Sequence, residues 1–179
     1  MEQEANEELE EYAYVLDFLP TGKSSSLHSE PIAQLVGEGK FTLLEVVTKT
    51  TDIKIGERVY IGKGDRDKVL QIKSRITYND LTEPAKNELP IAVANIIRQN
   101  EGRFVRIFNT AGPLNIRLHA LELLPGIGKK HLEAIIAARE EKEFESFDDL
   151  AKRVPLLQDP VKLLTGGSRF YILTRPYKA

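Results

Sequence analysis

The sequence contains no cysteine and only three histidines, His28, His119 and His131, which lie far apart along the chain. The absence of cysteine excludes disulfide bonds and thiolate metal sites, and it is typical of a cytoplasmic protein. Three scattered histidines argue against a zinc enzyme. No apolar run approaches the length needed to cross a membrane, so we expect no membrane partner.

The chain also lacks a strong net charge, since its 179 residues carry a formal charge of −2. Residues 1–11, however, hold six glutamates and no lysine or arginine, which leaves 25 basic and 21 acidic residues in the rest of the chain. We interpret residues 1–11 as a solvated acidic tail and not as a signal sequence. An alternative is that the tail competes with nucleic acid for a basic face. The charge therefore permits nucleic-acid binding without indicating it.

Five segments in the first half have the β-branched and aromatic content of strands and are separated by turn signals. They span residues 12–18, 32–36, 41–48, 58–61 and 68–78. Such a series predicts a small antiparallel β-barrel of the oligonucleotide-binding type, within a domain at 12–112. A helix at 82–100, capped by Thr82 and interrupted at Pro90, is inserted before a further strand at 103–108 that could close the barrel.

Segment 54–75 is the most basic part of the predicted barrel, with seven basic and three acidic residues. Together with Tyr60 and Tyr78, it has the composition of a surface that attracts RNA or single-stranded DNA by charge and by base stacking. An ordinary charged strand surface with inward-packed tyrosines explains the same pattern equally well. The candidate phosphate contacts in this segment are Lys63, Arg66 and Lys68.

The most specific signal is the run LPGIGKK at 124–130, which predicts the hairpin of a helix-hairpin-helix motif. Glycines in this turn can adopt backbone angles closed to other residues and leave space beside the amides. The amphipathic helix that follows offers unpaired N–H groups and a dipole that favour an anion. An αα-hairpin whose glycines only cap and turn is the alternative. The candidate phosphate contacts are the amides of Gly126, Ile127, Gly128 and Lys129 and the ammonium group of Lys130.

The flanks of this hairpin complete a helical domain at 113–179. Residues 113–121 place leucines at helical spacing after Pro113, and residues 132–136 continue an apolar stripe beyond the hairpin. Ser146 predicts the N-cap of a short helix, with Asp149 at the capping-box position. A last helix is predicted at 158–164, followed by a strand at 169–173 that could rejoin the sheet. Because no second PGIG run occurs, a paired second hairpin is either degenerate or missing.

The sequence offers no group of side chains that would carry catalysis. Glycosylases also contain a helix-hairpin-helix motif, and Asp148 and Asp149 follow the hairpin at about the distance of their catalytic aspartate. Here both aspartates begin a helix, and a capping role accounts for them. No carboxylate pair, Ser/His arrangement or metal-ligand cluster stands elsewhere, so we expect a protein that is not an enzyme.

Four phrases of the sequence together resemble the archaeal domain-of-unknown-function 655 family. They are ERVYIGKGDRDKV, ITYNDLTEPAKNELP, NEGRFVRIFNTAGPLNIRLHALELLPGIGKK and FESFDDLAKRV, and the resemblance runs from about Tyr12 through most of the chain. It implies a barrel of the oligonucleotide-binding type joined to a helix-hairpin-helix domain in an RNA-binding protein without an assigned reaction. Similar hairpins also imply a monovalent cation, K⁺ or Na⁺, that bridges to the phosphate and is held by the carbonyl oxygens of Glu122, Leu124 and Ile127.

The sequence thus predicts an α+β, non-enzymatic protein that binds nucleic acid, with RNA preferred over DNA. Two alternatives remain open, a module that docks onto a translation or transcription complex and an accessory subunit of a DNA-repair nuclease. Salt dependence separates the first alternative from nucleic-acid binding, because phosphate contacts weaken steeply as salt rises.

Overall fold

A computed structural model describes residues 10–24 and 28–166 of the chain. Most of the acidic tail and the predicted strand at 169–173 therefore lie outside the described residues. The chain divides into two compact units, Met1–Val93 and Ala94–Ala179. The division falls inside the helix Glu83–Gln99 (α1), whereas the sequence placed the domain boundary after residue 112.

The first unit contains one five-stranded antiparallel sheet. Its strands are Tyr12–Leu19 (β1), Ile32–Gly37 (β2), Leu43–Thr48 (β3), Arg58–Tyr60 (β4) and Val69–Arg75 (β5), which confirm the five predicted strands. The strand order is β4-β1-β2-β3-β5, and bulges in the β1–β2 and β3–β5 pairs curl the sheet into a half-barrel. Within the described residues β4 and β5 are open edges, where the sequence predicted a barrel.

The central strands of this sheet are buried on both faces, which accounts for their nearly continuous apolar sequences. One face of the sheet carries an apolar core that consists of Ala13, Val15, Ala33, Leu35, Leu44, Val46, Ile53, Val59, Ile61 and Val69. The opposite face carries a row of three buried polar residues, Asp17, Gln34 and Glu45, which stand opposite one another on β1, β2 and β3.

The buried polar row fixes the start of α1. The Gln34 side chain donates to the Asp80 carbonyl at 3.0 Å and accepts from the Thr82 amide at 2.9 Å. The Thr82 hydroxyl donates to the Asp17 carboxylate at 2.5 Å and accepts from the Ala85 amide at 3.2 Å. The predicted Thr82 cap is therefore confirmed. The predicted interruption at Pro90 is wrong, because α1 continues through this residue to Gln99.

The described part of the second unit consists mainly of helices. After the end of α1 come Glu101–Thr110 (α2), a two-stranded ribbon of Pro113–Asn115 (β6) and Leu118–His119 (β7), and a 3₁₀ turn at Ala120–Leu123. Three helices follow, Lys129–Glu141 (α3), Phe147–Arg153 (α4) and Pro160–Thr165 (α5). The Ser146 side chain caps α4, as predicted, and the Asp159 side chain caps α5.

Two predicted elements of this region are wrong. Segment 103–108 is part of α2 and not a strand, because Phe104, Val105 and Phe108 are buried together at helical spacing. Segment 113–121 is the ribbon and the 3₁₀ turn, not a helix. The Asn115 side chain accepts a hydrogen bond from the Arg117 amide at 2.9 Å, a local turn that competes with helix formation.

Two arginines tie the helices of the second unit together at their C-terminal ends. Arg139 of α3 donates to the carbonyl oxygens of Phe108 and Ala111 at 3.1 and 2.8 Å, at the end of α2. Arg153 of α4 donates to the carbonyl oxygens of Ala138 and Lys142, at the end of α3. Cations at these positions also interact favourably with the helix dipoles. The C-terminal end of α3 is thereby held, while its N-terminal end joins the predicted hairpin.

Candidate nucleic-acid interface

The predicted hairpin at 124–130 is anchored by apolar side chains and exposes its backbone. Leu121, Leu124 and Ile127 are buried, with 0%, 3% and 6% of their surface exposed. Gly126 and Gly128 are exposed, as are the two lysines that follow them. The turn therefore presents amides and positive charges outward while its leucines and isoleucine hold it in place.

Glycine occurs at the two hairpin positions for different structural reasons. Gly126 has a φ of +85°, a left-handed conformation that strains any residue with a side chain. Gly128 has an extended backbone, and a Cβ added to it would meet no atom within 4 Å among the described residues. Gly126 is thus needed for the turn, whereas Gly128 leaves open space in front of α3.

Gly128 is also the N-cap of α3, and within the described residues no side chain caps this helix. No acidic residue stands in the first turn of α3. Among the described residues, the first-turn amides of this 13-residue helix donate to no other group, and the positive end of its dipole lies beside Lys129 and Lys130. The Ile127 amide differs from the other predicted contacts, because it donates to the Leu124 carbonyl at 3.2 Å inside the turn.

The 3₁₀ turn before the hairpin is closed by reciprocal hydrogen bonds. His119 Nδ1 accepts from the Leu121 amide at 3.2 Å, and the Glu122 carboxylate accepts from the His119 amide at 2.7 Å. On the other side, Pro125 and Gly126 pack against α5, since a Cβ added to Gly126 would lie 3.8 Å from Leu163 Cδ2. The hairpin is thus supported on both sides within the second unit.

Acidification is expected to destabilise the second unit through His119. Burial and the neighbouring Arg139 guanidinium lower the pKa of this histidine, while the Glu122 carboxylate acts in the opposite direction. Below about pH 6.5, the ordinary value, the unfolded chain takes up a proton that folded His119 resists, so folding stability falls with pH. The contribution of neutral His119 to the free energy of unfolding is therefore fully present above this pH. It decreases as the pH falls towards the lowered pKa of the folded state.

Melting temperatures of the wild type and of His119→Asn, measured from about pH 7.5 to about pH 5, check this expectation. The asparagine oxygen can still accept from the Leu121 amide but does not titrate. We expect the wild type to lose more stability than the variant across this range. Equal losses would show that His119 does not carry the effect, because His28 and His131 remain in both proteins.

The three candidate contacts of the first unit lie near one loop but differ in availability. Lys68 forms an ion pair with the Glu57 carboxylate at 2.5 Å, and this hydrogen bond lowers the pKa of Glu57 and raises the pKa of Lys68. Arg66 Nε donates to the Gly62 carbonyl at 2.8 Å. Lys63 is exposed, and no described side chain forms an ion pair with it. Of the three, Lys63 is the residue best placed to meet a ligand.

Lys63→Ala and Lys68→Ala are therefore expected to change different properties, the first RNA affinity and the second stability. Loss of Lys63 should reduce the slope of log affinity for single-stranded RNA against log salt by about 0.7, the change for one lost phosphate contact. Loss of Lys68 should leave that slope unchanged and lower the melting temperature, because the Glu57 carboxylate loses its ion-pair partner. Anisotropy titrations at several salt concentrations and thermal unfolding measure the two effects. A reduced slope for Lys68→Ala alone would reverse this assignment.

Tyr60 and Tyr78, the two tyrosines considered for base stacking, differ in their surroundings. The Tyr60 hydroxyl accepts from the Gly64 amide at 3.1 Å, and a Cβ on Gly62 would lie only 2.4 Å from this hydroxyl. Tyr60 therefore shapes the glycine turn instead of presenting a free stacking face, and its ring meets the edge of Tyr12 at a centroid distance of 5.3 Å. Tyr78 is 53% exposed, and the Lys86 ammonium lies over its ring at 5.7 Å from the ring centroid.

The aspartates weighed as glycosylase residues have separate surroundings. The Asp149 carboxylate accepts from the Glu145 amide at 3.1 Å and from Arg153 at 3.2 Å, and the first of these bonds lowers its pKa. Asp148 lines an open groove of about 480 Å³ together with Arg98, Glu101 and Asp159.

In the described part of the chain, no three histidine or carboxylate side chains converge as metal ligands. Over the same residues, no helix is long and apolar enough to cross a membrane.

Comparisons with known proteins agree on one family. A family model described as "Protein of unknown function (DUF655)" matches residues 9–168. The "Uncharacterized protein MJ0038" of Methanocaldococcus jannaschii is 46% identical over 159 residues, which cover 88% of this chain and 72% of that protein. The crystal structure of Af1531 from Archaeoglobus fulgidus is similar with a TM-score of 0.83 and 47% sequence identity, and the match covers 94% of this chain and 96% of that chain. The resemblance seen in the sequence is confirmed, and the chain belongs to the DUF655 family.

Proposed function

We propose that this protein binds nucleic acid, RNA in preference to DNA, and catalyses no reaction. The observation that carries the proposal is the hairpin at 124–130, where buried apolar side chains hold exposed amides and lysines at the uncapped start of α3. A helix N-terminus with free N–H groups favours a phosphate. We assign this arrangement to the helix-hairpin-helix type, in which the backbone and not the bases of the ligand is held.

In the proposed contact, a phosphate oxygen accepts from the amides of Gly126, Gly128 and Lys129. Lys130 adds a flanking positive charge. The Ile127 amide is left out, because it already donates to the Leu124 carbonyl. Contacts of this kind position a strand without reading its sequence, so we expect little preference among RNAs of equal length.

We also propose a monovalent cation at the same turn. The three carbonyl oxygens of Glu122, Leu124 and Ile127 are hard ligands of the kind that K⁺ and Na⁺ take, and a carbonyl that accepts one hydrogen bond keeps a second lone pair. The Leu124 carbonyl is in this position, since it accepts from Ile127. When bound, the cation would supply positive charge beside the phosphate.

The first unit would also contact nucleic acid. We propose that its curled sheet is of the oligonucleotide-binding type and that Lys63 contacts a phosphate of RNA. The edge strand β5 is exposed after Val69, and its exposed residues include Lys73. A basic, partly apolar strand edge with Tyr78 nearby suits single-stranded RNA, which is held by charge and stacking.

Anisotropy titrations with labelled single-stranded RNA, DNA of the same sequence and branched DNA test the proposal. We expect the affinity for RNA to be the highest and log affinity to fall linearly with log salt, by about 0.7 per phosphate contact. A salt-insensitive protein partner from a translation or transcription complex, without RNA binding, would favour the interaction-module alternative. Preference for branched DNA would favour the repair-subunit alternative. Incubation of each ligand with the protein, followed by gel analysis, tests for the absence of a reaction.

A further inference from the structure

The turn between β2 and β3 holds a carboxylate in a cradle of backbone amides. Glu10 Oε2 accepts from the Gly39 amide at 2.7 Å. Glu10 Oε1 accepts from the Lys40 amide at 2.7 Å and from the Thr42 amide at 3.3 Å. Three N–H groups from one turn therefore converge on one anion, which comes from a part of the chain before β1.

The glycines of this turn make room for the anion. A Cβ added to Gly37 would lie 2.2 Å from the carboxyl carbon and from Oε1 of Glu10, and one added to Gly39 would lie 2.8 Å from Oε2. For Gly37, the three nearest atoms all belong to the Glu10 side chain. Gly37 is also the last residue of β2, with no left-handed backbone to require a glycine. The space beside Gly37 is thus occupied by the carboxylate.

The charges around the cradle suit an anion other than Glu10. Lys40 adds a basic residue to the turn. Glu38, the acid within the turn, accepts at Oε2 from Arg58 Nε and Nη2 at 3.2 and 2.8 Å, so its negative charge is compensated. Successive backbone N–H groups in such a concave turn form an anion-binding nest, and phosphate is a common occupant of nests.

Glu10 is not needed to attach β1 to this turn. The Glu38 amide donates to the Tyr12 carbonyl at 2.9 Å, and Ala13 stands opposite Gly37 in the β1–β2 ladder. These backbone contacts define the register without the Glu10 side chain. Attachment of β1 to the turn therefore does not by itself explain why three amides converge on the Glu10 carboxylate.

We propose that the cradle of Gly39, Lys40 and Thr42 is a phosphate-binding site and that Glu10 is its built-in competitor. The Glu10 carboxylate occupies the cradle in the free protein, and a phosphate of bound RNA displaces it. The identity of the ligand as RNA rests on the proposed function, whereas the phosphate chemistry rests on the cradle. The acidic segment would then weaken RNA binding by direct competition at a defined site.

Two matched variants test the competition. Glu10→Ala empties the cradle, and Glu11→Ala makes the same charge change at an adjacent exposed residue. Because a tethered competitor acts at a high effective concentration, we expect Glu10→Ala to bind single-stranded RNA about fivefold more tightly than Glu11→Ala does. Adding Gly37→Ala to Glu10→Ala should abolish the gain, since the new methyl group fills the cradle where only Glu10 stood.

Inorganic phosphate provides a readout that needs no RNA. At constant ionic strength, phosphate should shift the amide resonances of Gly39, Lys40 and Thr42 in Glu10→Ala, and not in the double variant with Gly37→Ala. Shifts with phosphate but no gain in RNA affinity would retain the phosphate site and reject RNA as its ligand. Equal RNA affinities of Glu10→Ala and Glu11→Ala, without phosphate-induced shifts, would overturn the proposal. A separate failure of the hairpin variants would reject the proposed function while leaving this site intact.

Discussion

Replacing Lys129 by glutamate, together with Gly128→Ala, is expected to lower the affinity for single-stranded RNA by about tenfold or more at low salt. The substitution places a carboxylate in the first turn of α3, where the amides proposed to hold a phosphate stand. A carboxylate at this position can itself accept from the unpaired N–H groups, so it removes a cation and competes with the ligand. The added Cβ at Gly128 lies in open space and shields these groups without a clash.

The expected loss is specific to this end of the helix. Lys152→Glu changes the net charge by the same amount at an exposed residue of α4, and it serves as the matched control. We expect the control to lose much less affinity and the hairpin variant to show a shallower salt dependence. Circular dichroism should remain native for both, because neither site is buried. Unchanged RNA affinity of the hairpin variant would reject the proposed role of the hairpin.

Phe108→Ala is expected to lower the free energy of unfolding of the second unit by about 3–5 kcal/mol. Phe108 is fully buried in α2, one helical turn after the equally buried Phe104. Truncation removes a large apolar side chain and leaves a cavity that the surrounding helices cannot fully close. The Phe108 carbonyl additionally accepts from Arg139, so the end of α2 lies against α3 at this point.

Ile107→Ala is the neighbouring control for this prediction. Ile107 is only half-buried, and we expect a cost well below that of Phe108→Ala. Chemical denaturation of both variants, followed by circular dichroism, measures the difference. Comparable losses for the two variants would contradict the packing of α2, since Phe108 and Ile107 would then be equally buried.

The strands of the first unit could be predicted because their amino-acid composition indicates that they are buried. Runs such as 32–36 and 41–48 are rich in β-branched and apolar residues and are bounded by turn signals. The hairpin at 124–130 could be located for a similar local reason, since the left-handed φ of Gly126 is a property of the turn itself. The family could be identified because its characteristic phrases extend over most of the chain.

The sequence of segment 103–108 is compatible with a strand and with a helix. Its aromatic and β-branched residues favour a strand, yet Phe104 and Phe108 stand one helical turn apart. The structure adopts the helix, which buries both rings together and leaves Arg106 exposed. The sequence of the segment could not decide between strand and helix, because the choice depends on the packing partners of the segment.

The availability of charged side chains was equally beyond the sequence. Lys63 and Lys68 are the same residue type in one basic segment, but Lys68 is paired with Glu57 while Lys63 is exposed. The amides that receive Glu10 come from a turn whose sequence signals only a change of direction. Such pairings join residues that are distant in sequence, so no local pattern contains them.

By itself, the sequence determined the strands, the glycine hairpin and the family of this protein, because these depend on local backbone preference and on composition. Only the tertiary structure decided that the sheet curls with open edges, that α2 is a helix and that the hairpin is supported by α5. It also decided which lysine is available and which carboxylate occupies the turn after β2. These outcomes depend on contacts between segments that are far apart in the chain. Such contacts form, and contribute to stability, only when the chain has folded.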